Sequence, residues 1–218
     1  MKSIVNLLKQ NKYYFLIILL LVLVGGIFLL TNTKVNVTLW VNKHYTQFLD
    51  LLFYNTNYIG EVFFTVALVF IILILKGWRL ALKASTCFVA VLIVTQFIKL
   101  VLFKGSLRPT LYFSEFFPHI ELRLLDGVIQ LKTETFPSGH TSAAFAIMTF
   151  LALYWKNKKL NWLLALGGLS VAYARLYLSQ HFITDVYVGM IIGVAMTSLV
   201  YCYYPNKWLI GKEYVEKD

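Results

Sequence analysis

Between Tyr13 and Leu30 the chain runs eighteen residues without a charge, and this stretch limits the possible folds more than any other feature. A bilayer's hydrocarbon core is crossed by about 20 apolar residues in a helix. A cleaved leader is the other way to use such a run, since Lys2, Lys9 and Lys12 precede it. The run is too long for a typical leader core, however, and Thr31-Asn32-Thr33-Lys34 offers no small-residue cleavage site, so an uncleaved anchor is expected. Five further apolar runs follow, at about Tyr58–Leu75, Leu80–Phe103, Thr141–Trp155, Leu160–Leu178 and Thr184–Tyr204. The expected fold is therefore an all-α membrane protein of six transmembrane helices, a single domain over residues 1–218 with its motif-bearing core at about 60–204. Composition agrees: 59% of residues are hydrophobic and 14% charged, against about 45–50% and about 25% in soluble domains. An ordinary soluble enzyme, a disordered chain and a coiled coil are all excluded. Cys87 and Cys202 both sit inside apolar runs and form no disulfide framework.

The net charge of +10 would suit nucleic acid, but its distribution gives another meaning. Twelve of the twenty basic residues fall at the termini and in the even-numbered connections: Lys2, Lys9, Lys12, Lys76, Arg79, Lys83, Lys156, Lys158, Lys159, Lys207, Lys212 and Lys217. Short loops rich in Lys and Arg stay in the cytoplasm. Both termini are thus expected in the cytoplasm and the odd-numbered connections outside, toward the periplasm, cell exterior or a lumen; the protein is expected to be multi-pass, in a bacterial inner membrane. Of the ten acidic residues only Glu213, Glu216 and Asp218 share the cytoplasmic side, leaving that face at +9 and the outer face at +1. The excess charge is an orientation signal, and no nucleic-acid partner is expected.

Two outward connections are more than linkers. Thr38–Asn57 spaces Trp40, Tyr45, Phe48 and Leu51 among polar residues, as in a helix lying in the interface. Residues 104–136 form a long loop in which Asp126-Gly127 stands between β-favouring residues, the signal of a small hairpin. The aromatic group Tyr112, Phe113, Phe116 and Phe117 reads as an interfacial belt, and His44 and His119 have no partner at ligand spacing.

Ionisable groups at a membrane boundary are costly and need a reason. They concentrate in three stretches: Lys99 through Arg108-Pro109, Pro137-Ser138-Gly139-His140, and Arg175 through His181 to Asp185. On the six-span topology all three meet on the outer face. Pro-Ser-Gly at a helix start offers unpaired backbone N–H groups and a positive dipole end for an anion. Arg108 and Arg175 supply planar forks for phosphate oxygens, and a lysine supplies a point charge. His140 and His181 can serve as nucleophile or proton donor near neutral pH, and Asp185, one helical turn after His181, can hold its tautomer. This inventory suits phosphoryl transfer through a covalent phosphohistidine.

The three segments, Lys99-(x8)-Arg108-Pro109, Pro137-Ser138-Gly139-His140 and Arg175-(x5)-His181-(x3)-Asp185, resemble in order and placement the signature motifs of the type 2 phosphatidic acid phosphatase (PAP2) superfamily, membrane branch. The resemblance implies that His181 is the nucleophile, Asp185 its orienting partner and His140 the acid for the leaving oxygen. Lys99, Arg108, Ser138, Gly139 and Arg175 would hold the phosphoryl oxygens. It implies no metal or other cofactor, because arginines and amides supply the charge stabilisation. Two departures stand out: the family's Lys-(x6)-Arg-Pro is longer here, which leaves Lys99 favoured over Lys104, and the Ser before the third-motif Arg is Ala174.

The function these features imply is removal of phosphate from a lipid phosphate or diphosphate at the outer face, with a polyprenyl diphosphate or a lipid A phosphate slightly favoured. Phosphatidylglycerophosphate and phosphatidate are alternative substrates. A non-catalytic binder or transporter of anionic lipid would need the cations but not the histidines, and a lipid phosphotransferase would differ only in its acceptor. Oligomeric state has no signature in the sequence.

Overall fold

The computed structural model describes residues 4–155, 157 and 159–204. Lys2, Lys156, Lys158, Lys207, Lys212 and Lys217 of the charge count, with Glu213, Glu216 and Asp218, lie outside the described residues. The regular secondary structure of the described residues is all helical, with no strand. A short helix α1 (Ile4–Gln10) leads through Asn11 into α2 (Lys12–Thr31). Two ten-residue helices follow, α3 (Lys34–Lys43) and α4 (Gln47–Thr56), each started by a threonine whose hydroxyl accepts a first-turn N–H: Thr33 from Asn36 and Thr46 from Leu49. The stretch expected as one interfacial helix is thus two, with Trp40, Phe48 and Leu51 exposed.

A 3-10 turn, Asn57–Gly60, bends the chain by 60° into α5 (Val62–Lys76). Helix α6 (Trp78–Phe97) continues as a π-helical turn over Ile98–Leu102. Then come α7 (Pro109–Phe116), α8 (Gly139–Trp155), α9 (Asn161–Tyr177) and α10 (Ile183–Tyr203).

Helix α8 is the centre of the bundle, in contact with α6, α9 and α10. Ten of its seventeen residues are buried, including Phe145, Ile147 and Phe150. Its buried hydroxyls are hydrogen-bonded: Thr149 meets the Tyr14 hydroxyl of α2 at 2.9 Å, and Ser142 donates to the Ser138 carbonyl at 2.9 Å. Glycines set its spacing to α10. A Cβ on Gly193 would stand 2.5 Å from the Ser142 carbonyl, and one on Gly189 2.7 Å from the Ser138 carbonyl. Small residues spaced by four let helix backbones meet at this distance.

Among the described residues, three helices are long and apolar enough to cross a membrane alone: α2, α6 with its π turn, and α10. The bent pair α4–α5 makes a fourth if it counts as one span. Helices α8 and α9 have 17 residues each, about 25 Å of rise, and so fall short of the length of their neighbours. Apolar side chains cover the outside of α2, α5 and α6, among them Leu20, Ile27, Phe63, Phe70, Ile74 and Ile93. An exposed apolar surface of this extent belongs against lipid.

The hairpin expected around Asp126-Gly127 does not form. The turn is present, with Gly127 at φ +80 and Val128 N–H on the Leu125 carbonyl at 3.3 Å, but its flanks never pair. Their backbone groups are taken elsewhere. Arg123 exchanges two bonds with the Asn42 amide, and the Ile129 carbonyl accepts from Gln180. The Arg123 guanidinium clamps Asp50 through both oxygens, at 3.0 and 2.6 Å. Side chains of other elements thus outcompete the cross-strand ladder.

Candidate active site

The three motif stretches arrive at one end of the bundle on different elements. The π turn of α6 brings Lys99, and the residue before α7 brings Arg108. The start of α8 brings Ser138, Gly139 and His140; the end of α9 brings Arg175, and the link into α10 brings His181 and Asp185. The backbone N–H of Ser138 donates to the Asp185 carbonyl at 3.0 Å, tying the second stretch to the third. A cavity of about 580 Å³ opens among them, lined by Lys99, Arg108, Gly139, His140 and His181. Ser138, Arg175 and Asp185 stand directly behind this lining, all buried.

His181 is 2% exposed, and its Nδ1 lies 3.4 Å from Asp185 Oδ2 and 3.3 Å from the Thr135 hydroxyl. Thr135 in turn donates to Asp185 Oδ2 at 2.5 Å. The same carboxylate accepts from the Phe182 N–H at 2.9 Å and from the Thr184 hydroxyl at 3.2 Å, which closes the first turn of α10. Asp185 and His181 are thus bridged by a threonine that the motifs do not contain. Burial, with Arg175, Arg108 and Lys99 nearby, pushes the His181 imidazole well below its ordinary range. With Nδ1 engaged by Thr135 and Asp185, Nε2 is the ring nitrogen without a hydrogen bond.

The cations are held by backbone carbonyls and two side-chain amides, those of Gln180 and Asn57. Lys99 Nζ donates to the Glu134 carbonyl at 2.7 Å, whereas Lys104 is exposed and lines no part of the cavity. The π turn and the loop after it take up the two extra residues between Lys99 and Arg108. Arg108 donates to Thr133 through Nε at 2.9 Å and to the Gln180 carbonyl and side-chain oxygen at 3.1 and 3.2 Å. Gln180 Oε1 also accepts from Arg175 Nη2 at 3.2 Å, so a single amide aligns both forks. Arg175 Nη1 bonds Asn57, and its Nε is buried without a hydrogen-bond partner.

Ser138 is drawn into the start of α8. Its side chain is 0% exposed and its hydroxyl caps α8, accepting from the Thr141 hydroxyl at 3.0 Å and the Thr141 N–H at 3.4 Å. Gly139 does face the cavity, with nothing within 4 Å of the position a Cβ would take. His140 Nε2 meets Glu61 Oε1 at 2.9 Å. Among the described residues, no three His, Cys, Asp or Glu side chains converge to hold a metal ion.

Glu61, Thr135 and Gln180 are therefore parts of the site that motif spacing does not contain. Gln180 fills the last variable position of the third stretch, immediately before His181, and that place is the one available signal. Thr135 and Glu61 had none.

Similarity to known proteins follows the same outline. The PAP2 superfamily model matches residues 80–209. A lipid A 4'-phosphatase of Porphyromonas gingivalis is 32% identical over 77 residues, and the undecaprenyl-diphosphatase BcrC of Bacillus subtilis is 30% identical over 67 residues. These matches cover 34% and 31% of this chain, and only about a third (33% and 34%) of the length of the two relatives. Among solved structures, Aquifex aeolicus LpxE superposes with a TM-score of 0.66 at 22% identity, over 78% of this chain and 94% of that one. The first transmembrane PAP2 type phosphatidylglycerolphosphate phosphatase from Bacillus subtilis superposes with a TM-score of 0.62, also at 22% identity, over 92% and 94%. The fold is theirs, the apolar helices make the chain an integral membrane protein, and with the family matched over more than half of its length the chain belongs to the PAP2 superfamily.

Proposed function

We propose that the protein is a membrane lipid phosphatase working through a phosphohistidine on His181. The shape of the cavity is the observation that carries this. Its motif end holds Lys99, Arg108, His140 and His181; its other end runs between α5 and α6, walled by Val62, Val66, Val89, Leu92, Ala143 and Ala146. Phe88, at its far end, lies eleven residues before Lys99, about 16 Å along the helix. A phosphate binds at the cationic end while the chain it is esterified to lies among apolar side chains at membrane depth. A soluble phosphate ester has no use for the second half.

The chemistry runs in two steps. His181 Nε2 attacks phosphorus; the N–P bond forms, the P–O bond to the lipid breaks, and His140 gives its proton to the leaving oxygen. Water then attacks the phosphohistidine, the N–P bond breaks, and His140 takes the proton from that water. Lys99, Arg108, Arg175 and the first N–H groups of α8 stabilise the charge that builds on the phosphoryl oxygens. These groups are enough for the reaction without a metal. The chain is placed in a bacterial inner membrane with six spans, α8 and α9 crossing as short central helices sheathed by the longer ones. Both termini are cytoplasmic and the site faces outward. The names of the two curated relatives support a lipid A phosphate or a polyprenyl diphosphate as substrate.

Phosphate release from a panel of lipid phosphates, measured on purified protein in detergent with and without a chelator, tests this directly. The wild type should release phosphate equally in both conditions. His181→Asn should lose at least about a thousandfold, the order seen when a covalent nucleophile is removed. Equal release by wild type and variant overturns the phosphohistidine.

A further inference from the structure

We propose that Glu61 is a positioning residue for His140, so that the site contains two histidine–carboxylate pairs, one for each ring that handles the reaction. This rests on the phosphatase reading above. Glu61 lies outside residues 80–209, which match the family, and none of the three motifs includes it.

The contact is built in. Glu61 stands at the 60° joint between the Asn57–Gly60 turn and α5. Its own N–H donates to the Tyr58 carbonyl at 3.1 Å, and its carbonyl accepts from the Thr65 N–H at 3.2 Å and hydroxyl at 3.3 Å. The backbone is therefore fixed on both sides of the residue. Gly60 seats this joint on His140: a Cβ there would lie 2.8 Å from both the His140 Cβ and its carbonyl oxygen. Asn57, at the start of the turn, accepts from Arg175. One short segment thus grips a residue from each of two motifs.

Charge gives the contact its purpose. His140 shares the cavity with Lys99, Arg108 and His181, and Arg175 lies behind it. For this ring to take up a proton among these cations, an anion must stand beside it. Asp185 is committed to His181 and Thr135; Glu134 lines the same cavity but makes no ion pair with His140, whereas Glu61 Oε1 lies 2.9 Å from its Nε2. The two pairs also differ in access to water. The Asp185 side chain is 3% exposed, while that of Glu61 is 38% exposed at the cavity mouth. The nucleophile is shielded, and the ring that must exchange a proton in every cycle is not. Glu61 holds the Nε2–H throughout, so the proton passed to the leaving oxygen, and later taken from water, is the one on Nδ1.

Leaving-group dependence separates this role from a structural one. First-turnover rates of Glu61→Gln are compared on a lipid phosphate, whose alkoxide needs a proton, and on 4-nitrophenyl phosphate, whose phenolate leaves without one. The loss on the lipid should be about 100-fold, the lower end of general-acid contributions, and at least tenfold larger than the loss on the aryl ester. Glu61→Asp should regain part of the lipid rate. Equal losses on both substrates, or no loss on the lipid, overturn the proposal. A burst that persists in His181→Asn overturns the phosphohistidine reading itself, and this proposal with it.

Discussion

Thr135 shows how much a single hydroxyl can decide. At 3.4 Å the His181–Asp185 pair is too long for a strong hydrogen bond, and the Thr135 oxygen closes the gap by donating to the carboxylate and meeting Nδ1. Removing it leaves a buried carboxylate short of one charge-assisted bond, worth about 1.5–3 kcal/mol. Thr135→Val should therefore lower kcat by about 10–100-fold, with KM within twofold, because the hydroxyl touches His181 Nδ1 and Asp185 and lines no part of the cavity. Steady-state kinetics on one lipid phosphate checks this; a raised KM at unchanged kcat would place Thr135 in binding instead. The residue types of the motifs were legible because charged groups clustered at helix ends have few structural uses. Thr135, Gln180 and Glu61 were not, since they meet His181, Arg108 and His140 across 46, 72 and 79 residues of sequence. No local pattern marks a threonine, an amide or a carboxylate as the partner of something so distant.

Among the elements, the pair α8–α10 determines whether the site exists, because the second and third motifs lie at the adjoining ends of these helices. Gly189 and Gly193 bring the two backbones together below the Ser138–Asp185 bond. Gly193→Val would push a branched side chain into the Ser142 carbonyl, at the 2.5 Å where its Cβ already falls, and backbone cannot yield as a side chain can. Overpacking of this kind costs about 1–3 kcal/mol, so the thermal midpoint in detergent should fall and activity should fall with it. Gly167→Ala is the matched control. Its Cβ would meet the terminal methyl of Met148 at 2.9 Å, a group that rotates away, and the midpoint should change little. A Gly193→Val midpoint equal to that of the control would remove the close approach as the reason for the glycine. Long apolar runs made the helices legible from sequence, with ends near those found. The hairpin was misjudged for a physical reason: a turn signal reports local backbone preference, while the flanks of Asp126-Gly127 were claimed by Asn42, Asp50 and Gln180 from elsewhere in the fold.

At the scale of the whole molecule, charge and apolar surface define a direction. The cavity opens at the end of the bundle that carries Lys99, Arg108 and Asp185, and the exposed apolar sides of α2, α5 and α6 surround the rest. If basic loops remain in the cytoplasm, the connection between α8 and α9 faces inward and the loop between α7 and α8 faces outward with the site. Substrate then reaches the phosphate end from the outer leaflet, its chain entering sideways between α5 and α6. Single cysteines test the orientation once Cys87 and Cys202 are replaced by alanine. Asn157 lies on the first of these connections and Lys132 on the second, and both are exposed. In intact spheroplasts a membrane-impermeant maleimide should label Lys132→Cys and leave Asn157→Cys unlabelled until the membrane is permeabilised. The reverse pattern would turn the molecule over. It would place the site in the cytoplasm and make a headgroup of the inner leaflet the substrate, with every contact inside the cavity unchanged.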